Sequence, residues 1–576
     1  MLRSLRLFAS LSSFLALSAS GFAEIRYVAS RTHGAADGTS WSNSFGGPLG
    51  VRNALAVAVS GDQIWVAKGL YLPTSDGDRS KSLVMIDGVD VYGGFAGTET
   101  SLQQRDPVLH ETTLSGDLAG DDATNGDSEN SCHVVRGAYA RLDGFTITGG
   151  NSDGSDGTIA QGSAYFTNRI NIVPSLAKCA IRANHGRAVY WLSSGGVLIG
   201  DCRFEDNAGG ALMLESSGDG AWIDRCVFTR NSASKGSAID ADIAFDVFVN
   251  DSLFFDNTTE DGTIAGELET YLWITGCTIA GNHSTKNSGA GVWGIYRQWG
   301  GFWNSIVYFN EGGDGSQGFD DQVPTGYPID HCCIQGGPTT SGNIDVDPGL
   351  VDLAGGDLRL SPASPCIDAG GGTSSAFDVV RSARRQDVVE VGDTGSGPAP
   401  VVDMGAFESS GGLYSIVCGE GIGELATACP CGNYSFQSVG RGCRNSINSA
   451  AGLFASGTPH PDTVVLTTDG MPHSVLCLFL QGNALLSSGA LFGDGVRCVG
   501  GAIKRLGSKT TSTAGIASYP NAGDTRIATR SAALGDPIPN GATRWYQTWY
   551  RDPSATFCPP PQGSTFNISA GIAIVW

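Results

Sequence analysis

Basic side chains are scarce in this chain of 576 residues: 35 Lys and Arg stand against 57 Asp and Glu, a net charge of −22. The deficit is uneven. Residues 24–410 carry 49 acidic and 23 basic side chains, whereas residues 411–576 carry 8 and 10, so charge alone marks a boundary near Ser410. So acidic a body lacks the basic footprint that nucleic acid requires, and it disfavours anionic polymers unless cations bridge them. Long apolar runs are also missing. Arg3 and Arg6 precede a short apolar stretch, Leu7 to Leu17, and the small residues Gly21 and Ala23 precede a cut before Glu24. Residues 1–23 therefore read as a secretory signal peptide, and no other segment is long and apolar enough for a transmembrane helix. Gly is abundant at 83 residues, yet no G-X-Y period exists, which excludes collagen. The eight His show no paired metal spacing, and HExxH, GxSxG and P-loop patterns are absent.

What is present is a repeat. Cys179-Ala-Ile-Arg-Ala-Asn184, Cys202-Arg-Phe-Glu-Asp-Asn207 and Cys226-Val-Phe-Thr-Arg-Asn231 align with Ser252 to Asn257, Cys277 to Asn282 and Ser305 to Asn310. Weaker copies run from Phe145 to Gly150 and from Cys332. Asn recurs at steps of 23, 24, 26, 25 and 28 residues. Each unit is a short alternating strand with Cys or Ser and Ile, Phe or Val on one face, then Asn and a Gly-rich turn. A strand so short buries that face only by stacking on copies of itself at roughly 4.8 Å. The expected fold is all-β: a right-handed parallel β-helix over 24–410, with coils of roughly 25 residues and an Asn ladder of Asn184, Asn207, Asn231, Asn257, Asn282 and Asn310. The run Leu49 to Val59 reads as a helix that caps the first coil.

Asp37-Gly-Thr-Ser-Trp41, Gly61-Asp-Gln-Ile-Trp-Val66, Val91 to Thr100, Leu114-Ser-Gly-Asp117 and Leu142 to Gly150 resemble secreted right-handed β-helix proteins of the polymorphic outer-membrane-protein-like kind. Asp345-Val-Asp-Pro348, Leu358 to Gly370 and Val402-Asp-Met-Gly-Ala-Phe-Glu408 resemble the closing, choice-of-anchor type tail of such chains. The resemblance implies export and a β-helix; the group shares no catalytic motif. Residues 411–576 read as an antiparallel β-sandwich with strands near 462–467, 474–480, 496–506, 544–551 and 565–576. Phe492 to Gly501 and Trp545 to Asp552 resemble a C-terminal module carried by many exported bacterial proteins, which implies attachment or sorting.

Five groups of residues could carry chemistry. The column Cys179, Cys202, Cys226, Cys277 and Cys332 reads as buried thiols packed as small hydrophobes, with disulfides between neighbouring coils as the alternative. Lys178, Asp201, Arg225 and Asp251 occupy equivalent outward positions, as do Asp206, Arg230 and Asp256; their alternating signs suit cross-coil ion pairs. Should a Ca²⁺-dependent polysaccharide lyase site exist, Asp201 and Arg225 are its catalytic candidates. Asp117, Asp121, Asp122, Asp127 and Glu129 form an acidic, Gly-containing loop whose oxygens suit Ca²⁺ without following the EF-hand pattern, and Asp76 with Asp78 is a weaker pair. Cys418, Cys429, Cys431, Cys443, Cys477, Cys498 and Cys558 are disulfide candidates of an exported module. The alternation from Phe566 to Trp576 resembles the last strand of an outer-membrane barrel, but the module lacks the many strands a barrel needs, so it reads as a sandwich strand. Asp320-Asp321 is an adjacent carboxylate pair without the partners of a glycoside hydrolase.

These features point to an exported protein, secreted or associated with the cell surface or outer membrane. The expected role is structural or adhesive, with extracellular polysaccharide or other cell-surface components as partners and no required cofactor. The alternative is a polysaccharide-active enzyme, either a Ca²⁺-dependent pectate lyase-like protein or a glycoside hydrolase.

Overall fold

The computed structural model describes residues 23–576 except 154–160, 170–172, 193–194, 216–219, 243–245, 268–269, 287–288, 295–299, 373–374, 389–390, 398, 410–412, 419–426, 428, 431–432, 434–440, 555–556 and 559–563. The expected leader and Cys431 lie outside the described residues.

The repeat folds as a parallel β-solenoid. A complete coil contributes one short strand to each of three sheets, which have twelve, ten and eight strands because the end coils are incomplete. One coil runs through Val197–Gly200 in the twelve-stranded sheet, Arg203–Glu205 in the ten-stranded sheet and Leu212–Glu215 in the eight-stranded sheet, before the chain returns at Ala221–Asp224. Pairing is parallel and in register, with Ile199 beside Ile223 and Phe204 beside Phe228. The alternating apolar residues of all three sheets meet in one continuous core. Inside it Phe204, Phe228 and Phe254 stack with centroids 4.6 and 4.9 Å apart and planes 3° from parallel. Such like-on-like contacts reward the aligned register and penalise slippage.

Two sharp corners bend each coil. The residue before each Cys or Ser adopts a left-handed conformation: φ is 50° at Lys178, 56° at Asp201, 51° at Arg225 and 48° at Asp251. The residue before each Asn does the same at Ala183, Asp206, Arg230 and Asp256. Apart from the aspartates these are poor left-handed residues, so the stacked core must hold the corners.

The helix near the start spans Gly50–Leu55, shorter than the expected Leu49 to Val59. Val51, Ala54 and Leu55 cover the core of the first coil, while Val57 and Val59 face solvent and give a longer helix nothing to bury. Beyond the last coil, residues of the closing segment pack across the outer side of the ten-stranded sheet: Cys366, Ala369 and Met404 against Ile306 and Tyr308, Leu358 and Ala406 against Leu253.

The C-terminal region is antiparallel. A six-stranded sheet and a three-stranded sheet share a core of Leu453, Leu466, Phe479, Leu506, Tyr546 and Ile574, flanked by the hairpin of Ala484–Phe492 with Gly495–Gly500. The stretch read as one strand over 565–576 is two, Phe566–Ile568 and Gly571–Val575, both paired with Thr543–Arg551. Trp576 is buried and donates its indole N–H to the Tyr546 hydroxyl (2.8 Å), so the terminal aromatic faces this core. Disulfides join Cys418 to Cys498 and Cys429 to Cys443, and Cys558 is also disulfide-bonded. Cys477, grouped with them in the sequence reading, is a free thiol. Its strand turns it into the main core of the module, whereas Cys418, Cys443 and Cys498 gather in a separate cluster.

Candidate functional site

Three columns of side chains run along the solenoid, and each has a different fate. The Asn column is a closed ladder. Each amide Nδ2 donates to the next Oδ1 at 2.8–3.0 Å, from Asn184 through Asn207, Asn231, Asn257 and Asn282 to Asn310. The same Oδ1 atoms also accept a backbone N–H, as Asn231 does from Asn207 at 3.2 Å. Gln322 ends the ladder, accepting the Asn310 amide at 2.8 Å and donating back to the Asn310 carbonyl at 2.9 Å. The sequence reading missed Gln322 because it enters from the short helix Phe319–Gln322, outside the repeat frame. That helix also takes up the Asp320-Asp321 pair: Asp321 is buried and accepts the Gly318 N–H at 2.8 Å.

The Cys column holds thiols. Cys179, Cys202, Cys226, Cys277 and Cys332 are buried, and each points its sulfur at the carbonyl two residues back, at 3.3–3.5 Å. Burial pushes the Cys332 thiol up to about 12, so at neutral pH it carries no charge with which to bind metal or attack.

The charged column is the place where a lyase would need free side chains. The expected outward face is instead covered by the closing segment. Asp201 receives Arg225 (Nε, 2.9 Å) from the next coil and Arg381 (Nε, 2.9 Å; Nη2, 2.5 Å) from the closing segment. Burial opposes its ionisation, but the Arg225 and Arg381 guanidinia outweigh that and hold the Asp201 carboxyl down to about 2. Arg225 is itself 7% exposed. One level on, Asp251 faces Arg384 (3.3 Å) and accepts the Ser375 hydroxyl (2.5 Å); burial, only partly offset by Arg384, pushes it up to about 6. The next position in the column is Gly276, and a β-carbon there would lie 2.5 Å from both Arg384 Nη2 and Asp251 Oδ1. Farther along, the Asn304 side chain accepts the Gly371 N–H at 2.6 Å. Only the second charged column stays in solvent, where Arg230 pairs with Asp206 at 2.7 Å and both are about half exposed.

The acidic loop converges in part. Asp117, Asp121 and Glu129 bring carboxylate oxygens within 4.8 Å of one another. Asp122 and Asp127 do not join them: Asp122 accepts from Asn130 at 3.1 Å and Asp127 meets His185 Nδ1 at 2.6 Å. Asp121 Oδ1 and Glu129 Oε1 are shielded from solvent without hydrogen bonds, so the trio fits a bound Ca²⁺, with Asp117, Asp121 and Glu129 as the side chains to hold it. Such an ion would supply charge neutralisation there. Asp76 and Asp78 share Lys81, which leaves no such vacancy.

One feature escaped the sequence reading. On the outer side of the twelve-stranded sheet Trp222, Phe248, Trp273 and Trp303 form a partly exposed stack, with centroids 5.5, 6.0 and 5.6 Å apart. Trp273 pairs in register with Gly301, and the Trp303 ring leans into the space that Gly301 leaves open. The signal was an aromatic inside three successive return strands, Trp222, Phe248 and Trp273, with Trp303 at the end of the next. Flanking them, Asp224 bonds Asn250 at 2.8 Å, and Trp273 donates to Asp246 at 2.7 Å.

The model of a family described as a right handed beta helix region matches residues 163–313. Together with the solenoid this defines the chain as a right-handed parallel β-helix protein. No curated protein matches it. Among solved structures, the crystal structure of pectate lyase Pel9A is similar at 16% identity and a TM-score of 0.39, over 68% of this chain and 97% of that one.

Proposed function

We propose that the chain is an exported scaffold of the cell surface or extracellular matrix, structural or adhesive, which holds polysaccharide or other cell-surface components without cleaving them. The observation that carries this reading is the pairing of the charged column. Asp201 is shared by Arg225 and Arg381, and Asp251 by Arg384 and Ser375, so side chains in the place of a catalytic set are spent on locking the closing segment to the solenoid. The aromatic stack on the twelve-stranded sheet is the proposed adhesive face: partly exposed rings beside carboxylates and amides suit a sugar chain laid along the rod. The C-terminal module serves attachment or sorting, a role that the resemblance to polymorphic outer-membrane-protein-like chains with a choice-of-anchor type tail supports.

The test is incubation of the purified mature protein with uronate and neutral polysaccharides, with and without Ca²⁺, following unsaturated products, reducing ends and retention on the polymer. Retention without cleavage is expected, and Trp222→Ala with Trp273→Ala should lower it. Cleavage abolished by a single substitution would overturn the reading. The second reading, a Ca²⁺-dependent polysaccharide lyase, draws on the Asp117–Asp121–Glu129 group. It requires Ca²⁺-dependent release of unsaturated sugars that Asp121→Asn removes.

A further inference from the structure

A second group of carboxylates lies in the closing segment, outside every motif discussed so far. Asp368, Asp387 and Asp393 bring one carboxylate oxygen each within 4.8 Å of one another. The three differ in exposure: Asp368 is fully buried, Asp387 partly so, and Asp393 reaches solvent. The backbone builds the cluster around Asp368. Its N–H donates to Asp403 Oδ1 (2.8 Å), and its carbonyl accepts from Thr394 (2.9 Å) and Gly395 (3.0 Å), which folds the 391–395 stretch back over it.

The Asp368 side chain is the anomaly. Both of its carboxylate oxygens are buried without a well-aligned hydrogen bond or a counter-charge; the Val388 amide is the donor directed toward them. An unpaired buried carboxylate is among the most costly groups a fold can hold, and here two more carboxylates face it. Asp403 offers no relief, because its oxygens are taken by the N–H groups of Asp368 and Ser409. The arrangement becomes favourable once a cation enters. Oxygens within 4.8 Å of one another can all touch one ion at roughly 2.4 Å, the distance of Ca²⁺ from its ligands. All-oxygen donors with one residue reaching solvent suit Ca²⁺ better than the softer transition metals.

We propose that Asp368, Asp387 and Asp393 form a Ca²⁺ site that staples Asp387 and the 391–395 stretch to the buried Cys366–Gly370 stretch. The consequence reaches both halves of the chain. The same closing segment grips the solenoid through Arg381 and Arg384, and it meets the C-terminal module through Arg385, which pairs with Asp469 at 3.2 Å and lies 4.7 Å over the Phe454 ring. Ca²⁺ would thereby set how firmly the module is seated on the rod.

The experiment compares the purified mature protein with Asp368→Asn, Asp393→Asn and Asp121→Asn. Each is freed of metal with a chelator and then titrated with CaCl₂ or MgCl₂, following heat of binding, the thermal midpoint and proteolysis of the loop that carries 391–395. Ca²⁺ should raise the midpoint and protect the loop, with Mg²⁺ weaker. Asp393→Asn should weaken Ca²⁺ binding by at least about tenfold, since even outer-shell partners cost that much. Asp368→Asn should be more stable than the parent in chelator, because the orphan charge is gone, yet insensitive to Ca²⁺. Absence of a Ca²⁺ effect on the parent would overturn the proposal. So would a loop-protecting effect that survives Asp368→Asn and Asp393→Asn and disappears only in Asp121→Asn, which would place the ion in the 117–129 loop.

Discussion

Replacing Asn231 by Ala tests the ladder at its centre. Asn231 Oδ1 accepts both the backbone N–H of Asn207 (3.2 Å) and its amide (2.9 Å), and Nδ2 donates to the Phe204 carbonyl (2.9 Å) and to Asn257 Oδ1 (3.0 Å). Truncation strands two groups outright, the Asn207 N–H and the Asn207 amide hydrogen, while the Phe204 carbonyl keeps its place in the parallel ladder opposite Val227–Thr229. Asn257 Oδ1 keeps the Asn231 N–H at 3.0 Å. Every one of these residues is fully buried. At about 1–3 kcal/mol per stranded group the loss is about 2–6 kcal/mol. Long repeat arrays unfold in sections, so the readout is local: amide exchange of Arg203–Glu205, Val227–Thr229 and Leu253–Phe255, with urea midpoints alongside. Arg230→Ala is the control. It removes an ion pair about half exposed on both sides, worth less than about 1 kcal/mol. Asn231→Asp adds a sign test. The second carboxylate oxygen would face two acceptors, Phe204 O and Asn257 Oδ1, so only the protonated acid fits. Its pKa rises in the fold, and the variant is most stable below the ordinary carboxylate range and loses stability as pH rises. If Asn231→Ala behaved like Arg230→Ala, or Asn231→Asp showed no pH dependence of its own, the ladder would not hold the coils in register.

Gly276→Ala forces a side chain onto a left-handed φ of 62° and into the Arg384–Asp251 contact, and should cost about 2–4 kcal/mol in urea unfolding; Gly372→Ala, with nothing within 4 Å, should change little. Asp251, pushed up to about 6 by burial, binds its proton more tightly folded than unfolded. Its contribution is therefore fully present below about pH 4 and is lost as pH rises through about 6, so the parent should gain stability relative to Asp251→Asn on mild acidification, read from urea midpoints across pH 4–8. Cys179, Cys202, Cys226, Cys277, Cys332 and Cys477 should resist alkylation in the native protein and react in denaturant, as mass spectrometry would report.

The solenoid was legible because its constraint is periodic. Asn184 to Asn310 recur at the coil length, and alternation within each strand sets which face is buried. What crosses the repeat frame was not legible. Nothing near Asp201 announces Arg381, 180 residues away, and nothing near Asn310 announces Gln322. The cover over the charged column was not legible for the same reason: the cross-coil pairing of Asp201 with Arg225 follows from the period, whereas a segment folding back over the coils does not. In the C-terminal module the disulfide candidates separated by strand direction, which cysteine spacing does not reveal. Asp368 carried no signal as a site residue, because its neighbours Asp387 and Asp393 are set around it by turns of the closing segment rather than by a spacing rule.

The role of the charged corner is decided by a double-mutant cycle on Asp201→Asn and Arg381→Ala, read as unfolding midpoints and as exchange of the closing segment, with polysaccharide turnover measured on the same four proteins. As a clamp, Asp201→Asn should cost about 3 kcal/mol, because it leaves Arg225 buried without its partner, and the cycle should show coupling of about 1–3 kcal/mol with no cleavage of any polysaccharide by the parent. Additive stabilities within error, together with a parent that cleaves a polysaccharide and an equally stable Asp201→Asn that does not, would show that the corner is an active site.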